Sequence, residues 1–179
     1  MIKHFYKKSL QRIDADYETV FHREELNEFE DIDDRDNALF FPMHEEEIVL
    51  RAVYYELSSL IEFNMRMLAT ELINREELIK QRQTDSIDIF FNPKVSTERL
   101  ISKIQDATGL DIRSIEGYDI LPRIRKSLNA FKHRGGLKAP TDMPTRFPEY
   151  FEIERNDAYE AIEKVSKFLQ QLMASARTI

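Results

Sequence analysis

Arg125, Asn129, Lys132 and His133 carry the chemistry available to this sequence. They lie in the stretch DILPRIRKSLNAFKHRGG, from Asp119 to Gly136. Arg125, Asn129 and His133 stand at i, i+4 and i+8, which forms one ridge of a helix. Lys132 joins them in a sector about 100° wide. An imidazole exchanges protons near neutral pH, and guanidinium and ammonium groups bind anions. The ridge sets an amide, an imidazole and two cations side by side. Familiar catalytic signatures are missing: there is no glycine-rich phosphate loop, no nucleophile elbow and no metalloprotease His-Glu pair. His4, His22, His44 and His133 are scattered, which disfavours a histidine metal site. No metal and no cofactor are expected.

The ridge needs a helix to hold it, and the stretch supplies one. Asp119 is a good N-cap, because its carboxylate can accept the free amides of a first turn. Pro122 falls in that turn, where a missing N–H costs nothing. Gly135 is a natural stop, since glycine enters the left-handed conformation freely. Ile120, Leu121, Ile124, Leu128 and Phe131 share the opposite face at helical spacing. One side is built for a core and the other for solvent or a ligand.

The whole chain has 179 residues, enough for one domain or a domain plus an arm. It has no cysteine, which excludes disulfides, thiolate zinc sites and cysteine nucleophiles. Its net charge of −7 argues against non-specific coating of long nucleic acid, but leaves room for a local basic pocket. Four glycines and six prolines, with abundant Leu, Ile, Glu, Lys and Arg, favour an all-α helical bundle. No apolar run approaches the roughly 20 residues of a membrane span. A soluble, cytoplasmic protein with no membrane partner is expected.

In chain order, residues 1–22 read as a helix with a basic early face of Lys3, Lys7, Lys8 and Arg12. Residues 23–37 are dominated by Asp and Glu, repel one another and read as a loop or a frayed helix end. Pro42 marks an apolar break, and a long helix follows over about 44–81. Its stripe is Val49, Val53, Leu57, Leu60, Ile61, Met67, Leu68 and Leu72, widened by Leu50, Tyr54 and Met65. Glu62 and Arg66 lie opposite that stripe at the spacing of an exposed ion pair. A connector spans 82–95, and a helix covers about Ser96–Ala107 with Leu100, Ile101 and Ile104 inward and Gly109 as its stop. Residues 137–156 contain Pro140, Pro144 and Pro148 and must be extended. The last helix spans about 157–177, with Asp157 and Glu160 at capping-box spacing. Long loops are thus expected at about 23–43, 82–95 and 137–156. The domain organisation reads as an N-terminal helix and acidic linker over 1–43 and a helical bundle over 44–179.

The run R-I-R-K-S-L-N-A-F-K-H-R-G-G, preceded by a long helix with an inward-leaning acid, resembles the HEPN superfamily of α-helical domains. The resemblance covers about residues 44–177. The family's typical motif sets an arginine a short distance before a histidine, often as R-N-x-x-x-H. Asn129 and His133 match the N-x-x-x-H part. Leu128 stands where the adjacent arginine would be, and Arg125 lies further from His133 than the usual pattern has it. Many family members are ribonucleases or ribonuclease toxins, and others are inactive partners or scaffolds. The resemblance implies metal-independent RNA cleavage in a homodimer, with His133, Asn129 and Arg125 as the catalytic set. Lys132, Arg134 and Lys126 would bind substrate, and Glu62 would support the set from the long helix. Such cleavage needs a group to move the 2′-hydroxyl or leaving-group proton and a cation for the charge on the phosphate. The implied partners are a second copy of the chain, RNA, and a protein such as an antitoxin, in toxin–antitoxin or antiviral defence. The alternative is a non-catalytic HEPN-like module for dimerisation or protein interaction, which the Leu128 departure favours. A helical nucleic-acid-binding regulator is a third, weaker reading, because Leu128 and Phe131 are better explained as core.

Overall fold

The computed structural model describes residues 1–72, 96–134 and 153–177, apart from the side chains of His133 and Arg134. The fold is all-α, as the helical periodicities require, with no strand among the described residues. Among the described residues five α-helices follow one another: α1 (Ile2–Glu25), α2 (Ile32–Leu72), α3 (Thr97–Thr108), α4 (Ile120–Arg134) and α5 (Arg155–Ala176). A single 3-10 turn, Ile112–Ser114, stands between α3 and α4. Two compact units are present, one of residues 1–56 and 127–162, the other of residues 57–126 and 163–179. The position 43/44, where the sequence suggested a boundary, falls inside α2. No helix among the described residues is long and apolar enough to cross a membrane.

In the first unit, α1 buries Tyr6, Ile13 and Val20, a line of residues at seven-residue intervals. Phe5 and Phe21 of the same helix stay exposed. Val49, Leu50, Val53 and Tyr54 of α2, Leu128 and Ala130 of α4, and Ala158, Ala161 and Ile162 of α5 complete this core. Burying each large side chain contributes roughly 1.5–3 kcal/mol.

The loop expected over 23–43 contracts to 26–31. The acidic residues start a helix instead of repelling it. Asp31 Oδ1 accepts the amide of Asp34 at 2.8 Å, a side-chain N-cap. Asp33 and Asp34 then sit in the first turn of α2, where the helix dipole favours negative charge. Arg35 Nε reaches back to Glu24 at 2.8 Å, which removes part of the repulsion. Asn27 turns the chain with φ 52°, a conformation asparagine tolerates. Pro42 does not break the helix; it is buried inside α2 and withholds one backbone donor.

In the second unit, Leu57, Ile61, Met65, Leu68 and Ala69 of α2 are buried, while Leu60 of the predicted stripe is exposed. Leu100, Ile101 and Ile104 of α3 are inward as expected. Ser96 Oγ caps α3 by accepting the Arg99 amide at 3.3 Å, and Gly109 ends it at φ 72°. Ile112, Ile120, Ile124, Val165, Phe168 and Leu172 fill the rest. Helix α5 begins at Arg155, so Asp157 lies in its first turn and is not its cap. The expected loop and connector segments at 82–95 and 137–152 fall outside the described residues, as does residue 73 onward of the long helix to position 81.

Gly117 is required where it stands. Its φ is +86°, and a Cβ built on it would lie 2.5 Å from the carbonyl oxygen of Lys164. The turn before α4 therefore lies against the α5 backbone. Gly117→Ala adds a strained left-handed residue to that clash. We expect it to cost about 2–3 kcal/mol of stability, read from a urea unfolding midpoint, and Gly109→Ala to cost less, since a Cβ there meets nothing within 4 Å.

Candidate functional site

Helix α4 grows out of the Gly117 turn. The amide of Ile120 donates to the Gly117 carbonyl at 3.3 Å and that of Leu121 to the Tyr118 carbonyl at 3.0 Å. The Asp119 carboxylate, expected as the helix cap, is engaged by a lysine of α5. It accepts Lys164 Nζ at 2.7 Å, and that hydrogen bond lowers the pKa of this exposed carboxyl. Ile120, Ile124, Leu128 and Ala130 are buried, and Leu121 and Phe131 are half-buried. Ala130 completes an apolar face that was otherwise read correctly from the spacing.

The polar side of α4 faces water. Arg125, Lys126, Asn129 and Lys132 are all exposed. Arg125 and Lys126 belong to the unit containing 57–126, and Asn129 and Lys132 to the unit containing 127–162. Among the described residues neither Arg125 nor Lys132 has an acid within ion-pair distance. That matters in a chain of net charge −7. Arg12, Arg35, Arg51, Arg66, Arg113, Arg155 and Lys164 all meet carboxylates. His133 and Arg134 are in the helix backbone, but their side chains lie outside the described set. Leu128 is 4 % exposed, so the position of the motif arginine is core here.

Glu62, expected behind the catalytic groups, is half-buried and engaged on its own helix. Its Oε1 accepts Arg66 Nε at 3.0 Å, and Arg66 Nη2 pairs with the same carboxylate. The i, i+4 spacing suggests an exposed pair. Arg66 is instead 7 % exposed, the buried charged residue of the second unit's core. An arginine placed there needs its acid, because an unpaired buried charge is far costlier than a solvated one.

Two contacts in the first unit escaped the sequence reading. The Arg51 guanidinium lies 4.5 Å over the Phe131 ring, and Lys132 Nζ lies 5.6 Å from the centroid of Tyr55. Arg51 and Tyr55 are one turn apart on α2, and Phe131 and Lys132 are neighbours on α4. Arg51 is also paired with Glu47, and its buried Nε finds no acceptor among the described residues. The i, i+4 spacing of Arg51 and Tyr55 was visible, but their partners on α4 were not.

A second polar group lies on α1, α2 and α5. Arg155 donates to both Glu46 oxygens, Nε at 2.6 Å and Nη2 at 2.9 Å, and Nη1 reaches Asp14 at 2.5 Å. The Tyr6 hydroxyl donates to the Arg155 carbonyl at 2.8 Å. The Glu46 hydrogen bond, first of all, pushes the Arg155 pKa up. Burial pushes the Tyr6 hydroxyl up to about 12, with the Glu46 charge adding to it. Burial and Glu46 likewise raise Tyr17. Asp14, Tyr17, Glu18, Phe21 and Arg155 line a shallow depression of about 450 Å³. Its charges are largely paired and its tyrosine, Tyr17, is moved further from neutral pH, so it lacks a proton-transfer group poised for chemistry. It acts as a clamp between helices. No group of three or more metal-ligating side chains occurs among the described residues.

Compared with known proteins, the chain matches no family model, no curated protein and no solved structure.

Arg155→Met leaves the Glu46 and Asp14 carboxylates without their cation. It should cost about 2 kcal/mol, a figure kept small because the group is partly solvated, and urea unfolding at neutral pH measures it. Tyr6 gives an alkaline signature. Its folded pKa is raised, so the unfolded chain loses the proton first. Stability should therefore fall as pH rises from about 10 towards about 12, and Tyr6→Phe should flatten that decline.

Proposed function

We propose that this chain is a HEPN-like, metal-independent endoribonuclease that acts as a homodimer, in toxin–antitoxin or antiviral defence. The observation that carries the reading is the polar side of α4. Arg125, Asn129 and Lys132 are exposed, and Arg125 and Lys132 have no acid partner among the described residues. Cations left unpaired in an acidic chain suit an anionic ligand, and a phosphodiester is one.

The residue roles follow from the chemistry. His133 stands one turn beyond Asn129 in the helix register and exchanges the proton. It takes the 2′-hydroxyl proton, or delivers one to the leaving 5′-oxygen. The 2′-oxygen forms a new bond to phosphorus as the bond to the 5′-oxygen breaks. A cyclic phosphate and a 5′-hydroxyl result. Arg125, with Lys132, Lys126 and Arg134, balances the charge gathered on the phosphate. Asn129 orients the imidazole or holds a phosphate oxygen. Two copies of α4 in a dimer would supply an acid and a base at one phosphate, which a single ridge lacks.

A specific observation favours a second reading, the non-catalytic module. Leu128 is core, so the motif arginine has no counterpart next to Asn129. Helix α2 also exposes Phe40, Phe41 and Ile48 at 59 %, 75 % and 52 %, a surface suited to a protein partner.

The deciding experiment is RNA cleavage in EDTA by wild type, His133→Ala and Arg125→Ala, with the mass in solution measured by light scattering. Cleavage that persists in EDTA, falls 100-fold or more in His133→Ala and falls about tenfold in Arg125→Ala supports the nuclease. Cleavage unchanged in both variants ends that reading. A dimer that cleaves nothing leaves the non-catalytic module.

A further inference from the structure

We infer that Tyr55 is a stacking platform for an unpaired base of single-stranded RNA, with Lys132 beside it holding the adjoining phosphate. This rests on RNA being the ligand of the α4 face, and it adds a binding residue on α2 that the motif does not contain. All the residues involved belong to the first unit.

Among the exposed aromatic residues of α2, which are Phe40, Phe41, Tyr55 and Phe63, Tyr55 is the one with a described cation at its ring. Tyr54, its neighbour, is 4 % exposed and packs in the core, whereas Tyr55 is 39 % exposed. Its ring is not stacked on another aromatic ring among the described residues. Its defined neighbour is the Lys132 ammonium at 5.6 Å, and Lys132 is itself exposed. Asn129 is exposed about one turn earlier on α4. A π surface and an ammonium thus meet at one edge of the first unit, with an exposed amide about one turn away on α4. Single-stranded nucleic acid is recognised by that combination: aromatic faces stack bases, cations track the backbone and amides bond base edges or sugars.

The neighbouring contact keeps the platform in place. Arg51, one turn before Tyr55, covers Phe131 at 4.5 Å, and its charge is committed to Glu47. Arg51 and Phe131 therefore join α2 to α4, which leaves Tyr55 and Lys132 as the accessible half of the ladder. With Arg51 neutralised, Lys132 is the local cation for phosphate. One phosphate contact predicts a shallow salt dependence from this residue, a slope near 0.7 for single strands. An unpaired base is required, because a base inside a duplex presents no face to a tyrosine.

The test uses the full chain and a probe that cannot be cleaved. The protein has no tryptophan, so Tyr55→Trp introduces a single reporter. It is titrated with a short 2′-O-methyl oligoadenylate and with an abasic oligomer of equal length. We expect quenching by the oligoadenylate and none by the abasic strand. Tyr55→Leu should bind the oligoadenylate about tenfold more weakly at unchanged unfolding midpoint, while Tyr55→Phe keeps wild-type affinity. Lys132→Ala should lower the salt slope by about 0.7. Equal affinity for the abasic strand, wild-type affinity in Tyr55→Leu, or no binding of either oligomer overturns the inference. If Tyr55→Leu fails to fold, the base-against-abasic comparison in Tyr55→Trp decides alone. Because the probe is not cleaved, stacking with no nuclease activity sinks only the catalytic reading. Cleavage that is indifferent to Tyr55 sinks only this one.

Discussion

Ile120, Ile124 and Leu128 form one stripe of α4, and that stripe has to leave water. Each is at most 4 % exposed. Their burial fixes the rotation of the helix about its own axis, and with it the side on which every other residue emerges. Arg125, Asn129 and Lys132 face solvent because the isoleucines and the leucine do not. Burial of the stripe contributes several kcal/mol, far more than any exposed ion pair could. The polar ridge therefore costs nothing extra to present, and changing its residues leaves the helix intact. Leu128 links the two faces. An arginine at that position, as the family motif has it, would place a charge in the core at a cost no surface contact repays.

The ion pairs follow a different logic from the core. Arg155 gathers Glu46, Asp14 and, through its carbonyl, Tyr6, and so ties three helices of one unit with four hydrogen bonds. Arg66 is buried with Glu62 beside it. In both places removal of one partner strands the other, so the groups are held by mutual need more than by net attraction. Such spent charges are poor candidates for chemistry. Groups left for a ligand are those that the fold has not already paired, and this directs attention back to the outer side of α4.

Local signals were legible in the sequence and long-range ones were not. Ser96 and Gly109 bound α3 within a residue of the expected ends, because capping depends on atoms three or four residues away. The inward set of Leu100, Ile101 and Ile104 followed from period alone. The start of α2 is hidden in the sequence because a run of acids suggests mutual repulsion. Asp31 as a cap, Asp33 and Asp34 at the dipole and Arg35 on Glu24 turn the same charges into a helix start. Pro42 suggests a break, although a long helix can carry one lost donor. Arg66 could not be seen as buried, since its spacing to Glu62 is that of any exposed pair. Arg155 and Glu46 are 109 residues apart, and no pattern in one segment announces the other.

The α4 face shows the same division at the level of function. Its periodicity gave Arg125, Asn129 and Lys132 as one outward set, and all three are exposed. What surrounds them came from elsewhere in the chain. Tyr55 supplies an aromatic neighbour for Lys132, and Arg51 with Phe131 joins the helices behind it. A motif read along one helix can name the groups that act on a phosphate, but it leaves out the surfaces that choose which strand reaches them. For a single-stranded ligand that choice depends on exposed π surface as much as on charge, since every strand brings phosphates and only an unpaired one offers a free base. A ridge of cations alone would bind duplex and single strand by the same counterion release. Discrimination between them requires a side chain such as Tyr55, placed within reach of the cation and kept out of the core.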